Sequence, residues 1–181
     1  MPLPVAWPTI SSARALVDRA TPSSFGLFAM RPVSLLHERV GALAAEQGRT
    51  PLATPIFDRA DPPDVTVVLD EAVLHRPIGT PAVMHDALVH VAEMALRPSI
   101  VVQVVPSSKG ANAGIGGAFD IASADGTSDT LRMDGVEDQT PENRSLVRKH
   151  RVAFNRVRGD ALSRDASRDL ILKAAEQWKT T

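Results

Sequence analysis

A pair of adjacent carboxylates is the feature of this chain best suited to acid–base chemistry. Asp70 and Glu71 directly follow the β-branched run Val65 to Leu69. Adjacent side chains on a strand point to opposite faces, so these two carboxylates do not form a close acid–base pair by themselves. The favoured interpretation is that one of them acts as a cap or forms an ion pair with His75 or Arg76. The candidate catalytic residues are Asp70, Glu71, His75 and His90.

A second polar group lies on a predicted helix. Asp86, His90 and Glu93 are spaced at i, i+4 and i+7, which places them on one stripe of the helix surface. This spacing is compatible with a carboxylate–histidine metal site, but it is also typical of a solvated helix face. Because no further histidine lies at a recognisable ligand spacing, the solvated face is favoured, and neither a metal nor a cofactor is predicted.

A glycine-rich loop, SSKGANAGIGGA, precedes Phe119. A phosphate-binding loop would need its glycines between a strand and a helix N-terminus, whereas these run into a predicted strand, and Lys109 precedes them. The segment therefore predicts a tight or mobile loop over a pocket, with Asn112 available to hydrogen-bond a ligand. The candidate ligand-binding residues are Arg76, Gln103, Asn112, Gly114, Gly116 and Phe119.

Near the C-terminus, a predicted helix carries a row of arginines. Its apolar side is formed by Val147, His150, Phe154 and Val157, and its outer side by Arg144, Arg148, Arg151 and Arg158. The arginines could contact phosphates or an acidic partner surface. The favoured interpretation is a solvated face paired with nearby aspartates: Asp160, Asp165 and Asp169.

The composition excludes several classes of protein. The chain has 181 residues, of which 44% are apolar, with 20 basic and 21 acidic residues and no cysteine. It therefore has no disulfide framework, thiolate zinc site or cysteine nucleophile, and its net charge of −1 provides no general attraction for nucleic acid. No apolar run reaches the roughly 18 residues of a membrane span. These features predict a cytoplasmic protein that contacts neither a membrane nor nucleic acid directly.

The elements that must position these residues divide the chain at residue 60. Prolines break residues 1–60 into short pieces with helices predicted at Ser11 to Ala20 and around Leu35 to Ala44, so this part is predicted to be a helical extension packed on the core. Residues 61–181 contain predicted strands at 65–69 and 99–105 around a helix, two further strands and two closing helices. The predicted fold class is α+β, with a mixed sheet of about four strands flanked by helices in the order αα–β–α–β–β–β–αα.

Several strings in the second part occur together in a known family. They are VVLDEAVL (Val67 to Leu74), RPIG (Arg76 to Gly79), VQVVP (Val102 to Pro106), the glycine loop, and ALSRDASRDLI (Ala161 to Ile171). Roughly Asp61 to Trp178 resembles the C-terminal effector domain of actinobacterial Xre-type helix-turn-helix regulators, a domain of unknown function described as antitoxin-like. The chain departs from this family in having Asn112 where a histidine is usual. The prolines of its N-terminal region also leave no room for the helix-turn-helix.

Two hypotheses for the function follow from this resemblance. In the first, the chain is a stand-alone domain that binds a small molecule or the protein encoded by a neighbouring gene, forms a homodimer, and does not read DNA itself. In the second, the same fold serves as a pocket enzyme, of isomerase or cyclase type, in specialised-metabolite biosynthesis. Both hypotheses require a hollow near the glycine loop.

Overall fold

The structure is a computed structural model, and it describes residues 26–30, 57, 60–62, 64–112, 117, 119–123, 129–133 and 144–179. Its strands are β1 (Gly26–Met30), β2 (Val65–Asp70), β3 (Ile100–Val105), β4 (Phe119–Ser123) and β5 (Thr130–Met133). The helices in these residues are α1 (Ala72–His75), α2 (Pro81–Met94), α3 (Arg144–Asp160) and α4 (Arg164–Lys179). A short 3-10 turn, Ser107–Lys109, follows β3. None of these helices is long and apolar enough to cross a lipid bilayer.

The strands form one five-stranded sheet in the order β3-β2-β1-β4-β5. β1 pairs in parallel with β2, and β2 with β3, whereas β4 runs antiparallel to β1 and to β5. The predicted fold, a sheet of about four strands in the order αα–β–α–β–β–β–αα, is therefore wrong. The missing strand is β1, and it occupies the centre of the sheet.

β1 was not predicted as a strand because its own short sequence is ambiguous. β1 is the five-residue segment GLFAM between two prolines, and its neighbours on either side have helical periodicity. An apolar run this short does not distinguish a strand from part of a helix, and only pairing with β2 on one side and β4 on the other defines it. The helices predicted at Ser11 to Ala20 and Leu35 to Ala44 lie outside the described residues. The helical extension therefore stays a prediction.

The connection between β2 and β3 is made by α2. Thr80 begins this helix, since its side-chain oxygen accepts a hydrogen bond from the Val83 N–H at 3.4 Å, and Pro81 fits the first turn. At the other end, the Arg164 guanidinium donates to the carbonyl oxygens of three residues at 3.0–3.2 Å: Ala95, Arg97 and Ile100. The Arg164 side chain thus supplies hydrogen-bond donors to carbonyl oxygens at the end of α2 and in the segment that follows it, which have no donor within the helix.

Helices cover both faces of the sheet. On one face, a buried cluster joins β2 and β3 to α1, α2 and α4 through residues such as Leu74, Met84, Leu88, Val104 and Ile171. On the other face, α3 covers Val68, Val105, Phe119, Ile121 and Leu131 with Val147, Phe154 and Val157. The predicted inward positions of α3 are confirmed for these three residues. Adjacent strand residues Val68 and Leu69 belong to opposite clusters, as the alternation of a strand requires.

The segment between α3 and α4 closes the outer edge of β3. Leu162 donates its N–H to the Val104 carbonyl at 2.9 Å, and Val104 donates its N–H to the Ser167 hydroxyl at 3.0 Å. The side chain of Gln103 also donates to the Leu162 carbonyl at 2.7 Å. Because its open backbone groups are satisfied in this way, this part of the edge is not free to pair with another strand.

Candidate binding site at the carboxyl edge of the parallel strands

The connection between β3 and β4 begins and ends at the carboxyl edge of the sheet. β2 and β1 lie between these two strands, and Phe119 at the start of β4 is paired with Met30 at the end of β1. The end of β3 at Val105 and the start of β4 at Phe119 therefore lie at the same edge of the sheet, which is the carboxyl edge of β1, β2 and β3. The carboxyl ends of parallel strands are the usual position of ligands in open α/β sheets. The two ends of the predicted glycine loop are thus at an edge where ligands commonly bind, and residues 113–116 and 118 between them lie outside the described part.

Asp70 links this loop to the end of β2. Its Oδ2 accepts a hydrogen bond from the Asn112 side-chain amide at 3.4 Å. Its Oδ1 accepts from the N–H of Ala72 at 2.9 Å, at the start of α1. The interpretation of one carboxylate as a local cap is therefore confirmed for Asp70. The same side chain holds α1 and the loop together.

Glu71 forms a second link between β2 and the chain that leaves β3. Its N–H donates to the Val105 carbonyl at 3.0 Å, and its Oε2 accepts from the Ser107 N–H at 2.6 Å. The hydrogen bond from the Ser107 backbone is the main reason that the Glu71 pKa lies below its ordinary value of 4.5, with a smaller contribution from the charge of His75. Glu71 is consequently ionised at neutral pH, where it acts as a hydrogen-bond acceptor.

The four candidate catalytic residues are only partly brought together. By strand alternation, Asp70 shares the sheet face of Val68, which α3 covers. His90 lies half-buried on α2, which packs on the opposite face. His75 is the last residue of α1 and is exposed. The structure therefore places Asp70 and Glu71 at one edge with His75 nearby, and His90 elsewhere.

Two of the three residues in the polar stripe on α2 are exposed to solvent. Asp86 and Glu93 are exposed, and Asp86 Oδ1 accepts a hydrogen bond from the His85 ring nitrogen Nδ1 at 2.9 Å. No group of three or more acidic or histidine side chains within the described part of the chain is arranged to hold a metal ion.

The candidate ligand residues have different environments. Asn112 is half-buried at the edge, and Arg76 is exposed directly after α1. Gln103 has a structural role, because it donates to Leu162 and its Oε1 accepts from the Arg158 Nε at 3.3 Å. Gly114 and Gly116 lie outside the described residues, as does the central part of the predicted pocket cover.

Phe119 is buried, with 4% of its surface exposed, and it packs edge-on against His150 of α3 with ring centroids 4.8 Å apart. Sequence reasoning placed His150 on the inner side of its helix but missed this contact. It also missed Ser107, whose backbone N–H donates a hydrogen bond to the Glu71 carboxylate. Pro106, which ends β3, followed by two serines and Gly110, was the signal for a turn there.

The described residues line a cavity in a different place from the predicted hollow. A cavity of about 380 Å³ lies on the outer face of α3, lined by Ser145, Arg148, Lys149, Val152, Ala153 and Arg156. The predicted hollow under the glycine loop involves residues 113–116, which are outside the described part. It therefore stays a prediction.

A protein-family model matches most of the chain. The model of a domain of unknown function, DUF5753, matches residues 23–173. The chain belongs to this family. The DUF5753 match begins before β1 and ends within α4, so it contains all the strands of the sheet and the glycine-rich segment between β3 and β4. No curated protein and no solved structure matches the chain.

Proposed function

We propose that this DUF5753 chain is a binding domain whose ligand, a small molecule, is held at the carboxyl edge of β1, β2 and β3 under the glycine loop. The observation that carries the proposal is the hydrogen bond from Asn112 to Asp70 at this edge, where the β3–β4 connection both begins and ends. Gly110 and Gly117, with φ of 67° and 117°, stand near the two ends of the loop in conformations that other residues rarely adopt.

The polar groups at this edge suggest the chemistry of the ligand. Asp70 and Glu71 supply carboxylate oxygens, and Asn112 supplies an amide, so hydrogen-bond acceptors predominate. A small molecule with amino or hydroxyl donors is complementary to them. Binding is favoured over acid–base catalysis, because the four candidate catalytic residues are not brought together and His90 lies across the sheet.

The proposed role follows the resemblance of the sequence to effector domains of Xre-type regulators, which are described as antitoxin-like. In this role, the domain responds to a ligand or to a protein from a neighbouring gene and does not read DNA directly. The homodimer, the protein partner and the cytoplasmic location are parts of the same proposal, and each stays a prediction.

Thermal unfolding in the presence of polyamines, amino sugars and nucleosides tests the small-molecule site. A ligand present at about one hundred times its Kd stabilises the folded state by about 2.7 kcal/mol, which raises the Tm by several degrees in a domain of this size. Asn112→Ala should remove the Tm increase. Asn155→Ala, an exposed asparagine on α3, is the matched control and should keep it. The proposal fails if no compound raises the Tm, or if Asn112→Ala responds like the wild type.

A further inference from the structure

The outer face of α3 combines positive charge with an exposed aliphatic side chain. We define the basic face as Arg148, Lys149, Val152 and Arg156. It lies opposite the buried residues of the helix, and it forms most of the lining of the cavity of about 380 Å³. Val152 has 44% of its surface exposed, although it is a β-branched apolar residue in the middle of a long helix. A partner surface that covers this side chain would gain the free energy of burying it.

The positive charges of this face have no acidic partner among the residues that the structure describes. Two arginines of the predicted stripe have other roles, since Arg151 pairs with Asp129 and Arg158 donates to Gln103. In contrast, Arg148, Lys149 and Arg156 are exposed and form no hydrogen bond or ion pair with any described residue. The predicted pairing of the stripe with the aspartates at 160, 165 and 169 is not what the described residues show. Three positive charges therefore surround Val152 on a chain whose net charge is −1.

We propose that the basic face binds an acidic amphipathic helix of a partner protein. Arg148, Val152 and Arg156 recur at intervals of four residues, so they present a cation, an aliphatic side chain and a second cation along one line of α3. A helix with carboxylates on both sides of an aliphatic stripe has the same repeat and the opposite charge. The carboxylates would pair with the cations while the aliphatic stripe covers Val152.

Nucleic acid fits this surface less well than a protein. A phosphate backbone would neutralise the cations, but it provides no apolar group to cover Val152. The face also points away from the sheet, on the far side of α3 from Phe154, so it is separate from the carboxyl edge. The inference therefore does not depend on the proposed small-molecule site.

Fluorescence anisotropy with a labelled helical peptide tests the proposal. The probe carries a leucine stripe flanked by glutamates, and its counterpart has glutamine at every glutamate position. The glutamate peptide should bind, and the triple variant R148E/K149E/R156E and the single variant Val152→Asp should each weaken binding about tenfold or more. Lys173→Glu, at an exposed lysine on α4, matches the charge change of Arg156→Glu and should alter the affinity by no more than about twofold. Circular dichroism checks that every variant is folded.

Several outcomes overturn the inference. The first is that the glutamine peptide binds as tightly as the glutamate peptide. The second is that Lys173→Glu lowers the affinity as much as Arg156→Glu does. The third is that the glutamate peptide does not bind at all. Binding of duplex DNA that depends on the three cations, without binding of the peptide, would assign the face to nucleic acid. The triple variant should keep any Tm increase caused by a small molecule, and this separates the failure of this inference from the failure of the edge site.

Discussion

Val104 donates its backbone N–H at 3.0 Å to the hydroxyl of Ser167, a residue 63 positions later in the chain. The serine is fully buried, and its hydroxyl donates in turn to the Leu162 carbonyl at 3.4 Å. One hydroxyl thus closes the edge of β3 and orders the turn between α3 and α4. Because both partners are remote from solvent, the edge of the sheet depends on this side chain.

Ser167→Ala should therefore destabilise the protein by about 1–3 kcal/mol, since the Val104 N–H would remain buried without an acceptor. Thermal or urea unfolding followed by circular dichroism measures the change. Ser108→Ala, at an exposed serine of the 3-10 turn, is the control and should leave the Tm unchanged within error. A Ser167→Ala protein as stable as the wild type would show that water or a backbone shift satisfies the amide.

Arg164 should stabilise the exit from α2 through its three carbonyl contacts at Ala95, Arg97 and Ile100. Arg164→Met keeps the aliphatic stem but removes the donors, and we expect a loss of about 1–2 kcal/mol. Hydrogen exchange at the last turn of α2 should accelerate in the variant. Arg144→Met, at an exposed arginine at the start of α3, should change neither quantity. Equal effects in the two variants would contradict a specific role for Arg164.

A hydrogen-bonded group of Arg151, Ser123 and Asp129 joins α3 to β4 and to the residue before β5. Arg151 pairs with Asp129 and donates to the Ser123 hydroxyl at 2.9 Å, and Ser123 donates to Asp129 at 2.7 Å. A double-mutant cycle of Arg151→Met and Asp129→Asn should give a coupling free energy of about 0.5–1 kcal/mol, because both side chains are partly exposed. The coupling should decrease at high salt. Strict additivity of the two substitutions would mean that the pair contributes no net stability.

The Glu71 link predicts a dependence of stability on pH. Its pKa in the folded state lies below the ordinary value of 4.5, so the unfolded chain takes up the proton first as the pH falls. The stabilisation is fully present above pH 4.5 and is lost as the pH falls through the folded-state pKa. Glu71→Gln should lower the Tm at pH 7, and its difference from the wild type should shrink in acid. A difference between Glu71→Gln and the wild type that stays constant across this pH range would contradict the assignment.

Much of the local structure could be predicted from local patterns. The β-branched runs at β2 and β3 are too short for helices and too apolar for loops, and the 3.6-residue period of α2 identifies its buried face at Met84 and Leu88. The inner side of α3 was predicted from the same periodicity. These predictions succeed because side-chain burial repeats with the backbone geometry of each element, whatever its partners are.

The candidate site was predictable only in part. The carboxylates at the end of β2 and the glycines before Phe119 have local signatures, but their proximity depends on the order of the strands. The bond between Asp70 and Asn112 spans 42 residues, and no spacing in the chain encodes it. For the same reason, His90 was grouped with Asp70, although α2 places it across the sheet.

By itself, the sequence determined the strands and the longer helices from β2 onwards and the apolar sides of α2 and α3, because these properties depend on neighbours a few residues away. Only the tertiary structure decided that GLFAM is the central strand and that Asn112 meets Asp70 at the carboxyl edge of the parallel strands. It also decided that Arg151 is paired, while Arg148, Lys149 and Arg156 have no partner among the described residues. The physical reason is that strand pairing and ion pairing join groups that are distant along the chain, so their energies depend on how the elements pack.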